Sequence, residues 1–401
     1  MENNLLLKDA TYFDGVNEEL KHSDILVHSG KIVEIGENLT PKNSTEYQIL
    51  DLKNKFLMPG LIDNHFHAYG ISLSLFEIEN TSMSYIALMA QKRLSAALQR
   101  GFTTVRDVAG GDYGLQKAIK QGLFAAPDYY YAGPAISQTG GHADPRNQEM
   151  DVCGHNHASG IIADGVDQVL QAARTNLRKG AHLLKIMVSG GVVSLTDPIG
   201  IPQYSNAEIE TVTSEAKRRG TYVTAHAYSA SAIIHAVKNG VGCIEHGNLM
   251  DEESANVMKA AGAHLVPTLI TYEMMGKYGK EKGMPPVSIE KNSIVLQAGR
   301  NAIELASKKG IKIGFGTDLM GELEFAQLDG VKSQWEVQGT LEAMRSLTSR
   351  NAEILGVSQI GEIKEEFAGN FLVLSKNPFE TPEVLWNQNL ERTVIKNGVV
   401  Y

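Results

Sequence analysis

Eight short apolar segments between residues 61 and 320 constrain the fold of this chain more than any other feature. Each has the length of a β-strand, and amphipathic helical stretches separate most of them. Strands that alternate with helices indicate a parallel sheet built from helical crossovers. The segments are LIDNHFH (61–67), FTTVRDVA (102–109), DYYYAGPAIS (128–137), HLLKIMVS (182–189), YVTAHAYS (222–229), GCIEHGN (242–248), HLVPTLI (264–270) and KIGFGTDLM (312–320). Eight such units predict an α/β fold, a (β/α)8 TIM barrel.

The two ends of the chain follow a different pattern. Short strand-like runs there alternate with Gly and Asn turns and show no helical period. We therefore predict two domains: residues 1–57 and 366–401 would form a small composite β-sandwich, and residues 58–365 the barrel. Segment 138–165 is rich in Gly, Asp and His without periodicity, which predicts a long loop over the mouth of the barrel.

Composition excludes several classes of function. The net charge of −9 over 401 residues, with no Lys/Arg-rich block, argues against a nucleic-acid partner. No apolar run approaches the ~18 residues of a membrane span, and the N-terminus lacks the basic start of a signal peptide. The two cysteines, Cys153 and Cys243, cannot form a disulfide framework. We expect free thiols in a reducing cytoplasm.

Polar residues with metal-binding chemistry stand at the ends of the predicted strands. Taken singly, each residue is explained by a structural role. A strand histidine is usually a core residue with its hydrogen bonds satisfied, and an HxH pair is usually structural or exposed. Their coincidence in barrel order matters more, because function in such barrels collects at the carboxyl ends of the strands. The residues are His65, His67, Lys185, His226, His246 and Asp318. Imidazoles and a carboxylate meeting at one mouth predict a metal site.

Lys185 is the unusual member of this set, because it interrupts an apolar strand and buried lysines are rare without a partner. The residues alone leave three interpretations open: a snorkelling side chain, a buried ion pair, or a chemically modified amine. An unmodified ammonium would repel metal ions nearby. Burial lowers the pKa of a lysine, and a neutral amine can add CO₂.

Several longer strings resemble the amidohydrolase superfamily of metal-dependent hydrolases. The ligand-bearing strings are MPGLIDNHFHAYG, LLKIMVSGGVVS, VTAHAYS, CIEHGN and GFGTD. Four further strings, GFTTVRDVAGG, SQTGGHADP, LVPTL and LTSRNAEILG, resemble its imidazolonepropionase-like branch, which includes Xaa-Pro and Xaa-Arg dipeptidases. The resemblance covers essentially the whole chain. It implies a (β/α)8 barrel with a β-sandwich formed by both termini, as the strand pattern also predicts.

The resemblance implies a binuclear centre with two divalent metal ions, for which we expect zinc. His65 and His67 would bind one ion, and His226 and His246 the other. Asp318 would ligate the first ion and act as the catalytic proton shuttle. Lys185 would be carboxylated on its ε-nitrogen, so that the two oxygens of the carbamate bridge the ions.

The same resemblance suggests residues around the substrate. Metal-activated hydroxide would attack a carbonyl carbon while Asp318 transfers the proton to the leaving amine. Tyr228 and His142 match positions that the family uses to bind substrate, although Tyr228 could equally be a packing residue. Arg146, on the predicted lid, could bind a substrate carboxylate or be a solvated loop arginine. The run CGHNHASG, with Cys153, His155 and His157, is interpreted as loop surface.

The function predicted is hydrolysis of an amide or peptide-like bond in a small carboxylate-bearing substrate, such as a dipeptide or an N-acyl amino acid. A cyclic amide, lactone, carbamate or deamination substrate is the alternative on the same metal centre, and a non-catalytic binding protein is a third. The loop DLMGELEFAQLD after Asp318 departs from the pattern of the peptidase relatives, so no dipeptide preference follows. Asn370 stands where the family usually has an acidic residue, remote from the site. The sequence leaves open whether the protein forms a homo-oligomer.

Overall fold

The computed structural model describes residues 3–41, 43–147, 150 and 158–401. Its strands are β1 (Leu5–Tyr12), β2 (Lys21–His28), β3 (Lys31–Gly36), β4 (Gln48–Asp51), β5 (Phe56–Pro59), β6 (Leu61–Phe66), β7 (Phe102–Asp107), β8 (Asp128–Tyr131), β9 (Ala135–Ser137), β10 (Gly160–Ile162), β11 (Leu184–Met187), β12 (Val223–Ser229), β13 (Cys243–Leu249), β14 (His264–Val266), β15 (Phe371–Leu374), β16 (Arg392–Lys396) and β17 (Val399–Val400).

Helices occupy most of the connections between the barrel strands. They are α1 (Leu75–Asn80), α2 (Met83–Gln99), α3 (Tyr113–Lys120), α4 (Gly165–Arg178), α5 (Asn206–Arg218), α6 (Ala230–Lys238), α7 (Glu252–Ala261), α8 (Leu269–Tyr278), α9 (Pro286–Lys308), α10 (Gln327–Leu347) and α11 (Ser349–Leu355), with short 3-10 turns at Ser44–Glu46, Gly321–Ala326 and Pro382–Leu385. Helix α5 begins with a capping box, in which Ser205 and Glu208 satisfy each other's backbone N–H groups. Within the described residues, no helix combines the length and apolar character needed to cross a membrane.

The two ends of the chain form one connected sheet of eight strands. Its order is β17-β16-β15-β5-β1-β2-β3, with β4 also beside β1. The C-terminal strand β15 pairs antiparallel with β5, so that Phe371 lies opposite Pro59 and Leu374 opposite Phe56. The expectation that both termini combine into a β unit is confirmed.

The barrel is built from two parallel sheets, β6-β7-β8 and β10-β9-β11-β12-β13-β14. On one side they are joined through the amide of His182, which donates to the Tyr131 carbonyl at 2.9 Å. On the other side residues 312–318 close the gap. There Gly314 donates to the Leu265 carbonyl at 2.8 Å, and Asn64 donates to the Phe315 carbonyl at 2.9 Å. The predicted TIM barrel is confirmed.

Three predicted segments differ in detail. Residues 128–137 are two strands, β8 and β9, because the chain turns at Gly133 with a φ of 74° before Pro134. The seventh strand ends at Val266, and helix α8 already begins at Leu269. The eighth segment, 312–320, forms only one isolated bridge, between Ile313 and Leu265. The predicted loop 138–165 contains strand β10 in its described part.

Candidate metal centre

The structure brings the six predicted ligands together around one pocket of about 730 Å³ at the mouth of the barrel. They come from five places in the barrel wall, with His65 and His67 at and just after the end of β6 and Asp318 in the eighth segment. Lys185 lies in β11, and His226 and His246 lie in β12 and β13. The predicted substrate residues His142 and Tyr228 line the same pocket; the full set is His65, His67, Lys185, His226, His246, Asp318, His142 and Tyr228.

One half of this cluster has the geometry of a metal site. One ligand atom from each of His65, His246 and Asp318 lies within 4.8 Å of the others. The Asp318 carboxylate is 2.9 Å from Nε2 of His67 and 3.4 Å from Nε2 of His65. Burial alone would raise the pKa of Asp318, but the neighbouring His65 and His67 outweigh it and hold that pKa well below its usual range. The carboxylate is therefore ionised and able to bind a cation.

The other half adjoins it through edge-to-face and tilted ring contacts. The His226 ring centroid lies 4.6 Å from that of His246, which lies 4.9 Å from that of His65. Nε2 of His226 is 3.1 Å from the Gly190 carbonyl, so this nitrogen donates and Nδ1 stays available as a ligand.

Lys185 is 2% exposed and borders the same pocket. Among the described residues its amine makes no hydrogen bond or ion pair, so the buried ion pair considered from the sequence does not form. Burial lowers the pKa of this amine to about 8, against the opposing effect of the Glu245 and Asp318 carboxylates. A snorkelling side chain is equally excluded by this burial.

Two buried side chains that were not predicted orient the histidines. Glu245 accepts from Nδ1 of His65 at 2.6 Å, and Nδ1 of His246 lies 2.7 Å from the Thr268 hydroxyl. Metal-binding histidines commonly use one nitrogen in this way, which fixes the ring and leaves Nε2 for the metal. The donor set and its supports therefore fit divalent metal ions.

Glu245 belongs to a buried charged network beneath the site. Arg106 donates to Glu245 at 2.6 Å and to the Asn64 carbonyl at 2.5 Å, and both charged side chains are fully buried. Burial would raise the pKa of Glu245, but Arg106 and His65 more than offset this and lower it. The sequence does show Arg106 and Glu245 as opposite charges on two otherwise apolar strands, which is unusual for buried strands. Nothing local indicated that they meet.

Three residues of the site and its supports have strained backbone. His246, Thr268 and Asp318 all have positive φ, at 72°, 49° and 52°, which non-glycine residues seldom adopt. At His246 the positive φ interrupts the regular alternation of side chains along β13. The consecutive residues Glu245 and His246 can therefore both face the site. Strained backbone of this kind clusters at functional sites.

The two predicted substrate residues are held by defined contacts. The His142 ring stacks on His226 at 4.1 Å, and its Nδ1 lies 2.8 Å from the Ser194 hydroxyl. The Tyr228 hydroxyl is 2.9 Å from that of Tyr272. Burial lowers the pKa of His142 to about 4, so its ring is neutral near pH 7.

The remaining candidates lie apart from this pocket. Arg146 pairs with Asp144 at 2.7 Å and borders an adjoining outer pocket of about 940 Å³. Cys153, His155 and His157 lie outside the described residues. Cys243 is a buried free thiol whose pKa is raised by burial to about 12.

Known proteins resemble this chain in both sequence and fold. Residues 56–400 match the model of the amidohydrolase family. Ochratoxinase from Aspergillus niger is 29% identical over 96% of this chain and 84% of its own length. A crystal structure of a prolidase complexed with N-methylphosphonate-L-proline superposes with a TM-score of 0.96 at 38% identity, covering 99% of each chain. A Xaa-Pro dipeptidase with methionine in its active site superposes with a TM-score of 0.89 at 29% identity, again covering 99% of each.

The fold, the pocket and these matches define a class of protein: the chain belongs to the amidohydrolase family and is a hydrolase of that family. The resemblance found in the sequence is confirmed, and the His65, His246 and Asp318 cluster is a possible metal site typical of such enzymes.

Proposed function

We propose that this protein is a metal-dependent hydrolase that cleaves an amide or peptide-like bond in a small carboxylate-bearing substrate, a dipeptide or an N-acyl amino acid. The observation that carries the proposal is the convergence of ligand atoms of His65, His246 and Asp318 within 4.8 Å in the lining of one pocket. Similarity to a prolidase, a Xaa-Pro dipeptidase and an ochratoxinase supports a C–N bond as the target.

We propose the ligand assignment that the sequence predicted. His65, His67 and Asp318 would hold one divalent ion, for which we favour zinc. His226 and His246 would hold a second, and a carboxylated Lys185 would bridge the two. Support for the carbamate comes from the buried Lys185 amine, which lacks a partner in the described part of the chain. A carbamate would give that position the anionic oxygens that two cations require.

The metal ions would supply a hydroxide nucleophile near neutral pH and an electrophile for the scissile carbonyl. The protein's own groups would handle the proton and the substrate. Asp318, ionised and in contact with His67, can accept a proton and deliver it to the leaving amine. His142 and Tyr228, on the wall of the pocket, can donate hydrogen bonds to substrate oxygens. We also propose a cytoplasmic location, which the free thiol of Cys243 supports.

Metal analysis and a substrate screen test the proposal together. The purified protein, supplied with zinc and bicarbonate, is assayed against dipeptides and N-acyl amino acids, with cyclic amides, lactones, carbamates and aminopurines as a second panel. We expect bound divalent metal and turnover confined to the first panel. Turnover only in the second panel would show that the proposed substrate class is wrong and that the substrate belongs to the second panel. Protein that binds no metal and gains no activity from it would contradict the hydrolase itself.

Substitution of Lys185 by Ala tests the bridging carbamate. Activity should fall by about 100-fold or more, because the second ion loses its shared anionic ligand. Short carboxylic acids such as acetate or propionate should restore part of it by filling the vacated space. Lys217→Ala, an exposed lysine of α5, is the matched control and should leave kcat unchanged. Full turnover by Lys185→Ala would refute the bridging role.

A further inference from the structure

The loop after β11 forms one wall of the pocket and contacts the His226 half of the candidate site. We define the β11 loop as residues 190–198. Val192 and Val193 line the pocket, and the Gly190 carbonyl accepts from His226. The loop therefore contributes to the shape of the pocket and to the setting of one proposed ligand, although none of its residues is a proposed ligand itself.

The β11 loop packs against His142 and contacts its ring nitrogen Nδ1. The Ser194 hydroxyl lies 2.8 Å from Nδ1 of His142, and the Asp197 carboxylate is 3.7 Å from the same nitrogen. Gly191 lies flat against the ring, since a Cβ there would stand 1.9 Å from Cε1 of His142. The position of the His142 ring therefore depends on the conformation of this loop. Its other nitrogen, Nε2, has no hydrogen-bond partner among the described residues and is available to a substrate.

A single lysine from a distant helix organises the β11 loop. Nζ of Lys291, in α9, donates to the main-chain carbonyls of Gly191, Ser194 and Asp197 at 3.0, 2.9 and 2.6 Å. It also lies 3.4 Å from the Asp197 carboxylate, and its side chain is 12% exposed. The loop backbone is thus wrapped around one ammonium group, about 100 residues away in the sequence.

The chemistry of these contacts explains why a cation is needed there. Three carbonyl oxygens that point to one place repel each other, and an ammonium with three donors satisfies them together. Asp197 completes the arrangement, because its carboxylate also accepts from the Gly191 amide at 3.0 Å and so closes the loop on itself. Without the ammonium, the carbonyls and the carboxylate would have to turn toward water, and the loop would open.

We propose that Lys291 is a positioning residue that fixes the β11 loop and thereby presents His142 to the substrate. This inference rests on the proposed function in taking His142 as a substrate contact. The residue acts through Ser194 and Asp197 and touches neither the proposed ligands nor the pocket.

Lys291→Met removes the donors and keeps the length of the side chain, so it is the variant of choice. Hydrogen–deuterium exchange of peptides covering residues 189–203 should become about tenfold faster or more, because the loop loses its anchor. The imidazole carbon resonance of His142, assigned with His142→Asn, should shift. On the best substrate of the screen, KM should rise about tenfold with kcat within about threefold, as for a lost binding contact.

Three further variants make the result specific. Lys259→Met is the matched control, since Nζ of Lys259 also donates to a main-chain carbonyl, that of Gly310 at 2.8 Å, away from the pocket. It should change neither loop exchange nor KM. Lys291→Arg keeps a cation with several donors and should recover most of the wild-type KM. Lys291→Gln, whose amide still donates, takes the place of Lys291→Met if the latter does not fold.

The outcomes separate this inference from the proposed function. Unchanged loop exchange and an unshifted His142 signal in Lys291→Met would overturn the role of Lys291. So would faster exchange with an unaltered KM, because the loop would then not present His142. If the wild-type protein turns over no substrate, the proposed function fails, and the exchange and resonance measurements still decide whether Lys291 positions His142.

Discussion

At the scale of single residues, the ion pair of Glu245 and Arg106 supports the candidate site without providing a proposed ligand. Both side chains are fully buried, and one oxygen of Glu245 pairs with Arg106 while the other orients His65. The Thr224 hydroxyl donates to the same carboxylate. A buried pair need not stabilise a fold relative to apolar residues, but loss of one partner leaves an uncompensated charge in the core. The pair therefore couples the stability of the barrel to the geometry of the metal site.

Glu245→Gln should test this coupling. The neutral amide leaves Arg106 unpaired in the core, so the free energy of unfolding should fall by about 3–5 kcal/mol. Affinity for divalent metal should drop about 10–100-fold, because His65 loses its charged acceptor. Urea denaturation and metal titration measure the two effects.

The control for this change is Glu391→Gln, which also removes a carboxylate from an ion pair. Glu391 is 66% exposed and pairs with Lys55 at 2.9 Å. Exposed pairs of this kind contribute about 0–1 kcal/mol, so the urea midpoint should hardly move. Equal effects of the two substitutions would show that the buried network contributes no more to stability and metal affinity than an exposed ion pair does.

At the scale of elements, the eighth barrel segment shows how a strand position can be filled without a regular strand. Asn351 of α11 provides part of the missing backbone pairing. Its side-chain oxygen accepts from the Phe315 amide at 2.9 Å, and its nitrogen donates to the carbonyls of Ile62 and Phe315 at 2.7 and 2.8 Å. Asn64 then donates to the Asn351 carbonyls. This buried amide stitches β6 to the segment that carries Asp318.

Asn351→Ala should therefore open the seam between β6 and residues 312–318. Three buried main-chain groups lose a partner, so we expect the free energy of unfolding to fall by about 2–4 kcal/mol. Asp318 would lose its fixed position opposite His65, and metal affinity should fall as well. Asn80→Ala is the control, because the Asn80 amide also donates to a carbonyl, that of Phe76, but on the exposed surface. A urea midpoint as insensitive to Asn351→Ala as to Asn80→Ala would contradict the role of this amide.

These elements also show where the sequence was informative. The strands that carry His65, Lys185, His226 and His246 were predictable, because short apolar runs that contain a histidine or a lysine stand out locally. The break between β8 and β9 and the irregular segment 312–320 were not, since a Gly-Pro turn and a side chain from α11 determine them. Glu245, Arg106 and Lys291 were missed for the same reason. Their partners lie far away in the sequence, and periodicity reports only nearby contacts.

At the scale of the whole molecule, the terminal sheet and the barrel share their apolar contacts. Phe13 and Phe56 of the N-terminal part and Leu372 of β15 belong to the same buried cluster as Leu61 and Phe102 of the barrel. The side chain of Leu372 lies against Gly101, where a Cβ would come within 3.0 Å of it. The sheet also depends on both chain ends, because β15 lies between β5 and β16. That residues 58–365 form a domain separate from the composite terminal domain remains a prediction.

Expression of residues 58–365 alone tests that independence. We expect this fragment not to fold cooperatively, because it exposes the faces of Leu61 and Phe102 that the terminal sheet covers, and buried apolar area of this kind stabilises by about 25 cal/mol per Å². Thermal unfolding followed by circular dichroism, together with solubility, measures the outcome. The control is a chain shortened only by Tyr401, whose side chain is half-exposed; it should unfold like the full protein. A cooperative transition of the fragment at the midpoint of the full chain would show that the barrel folds on its own. The terminal sheet would then be an attachment to the barrel and not a part of its core.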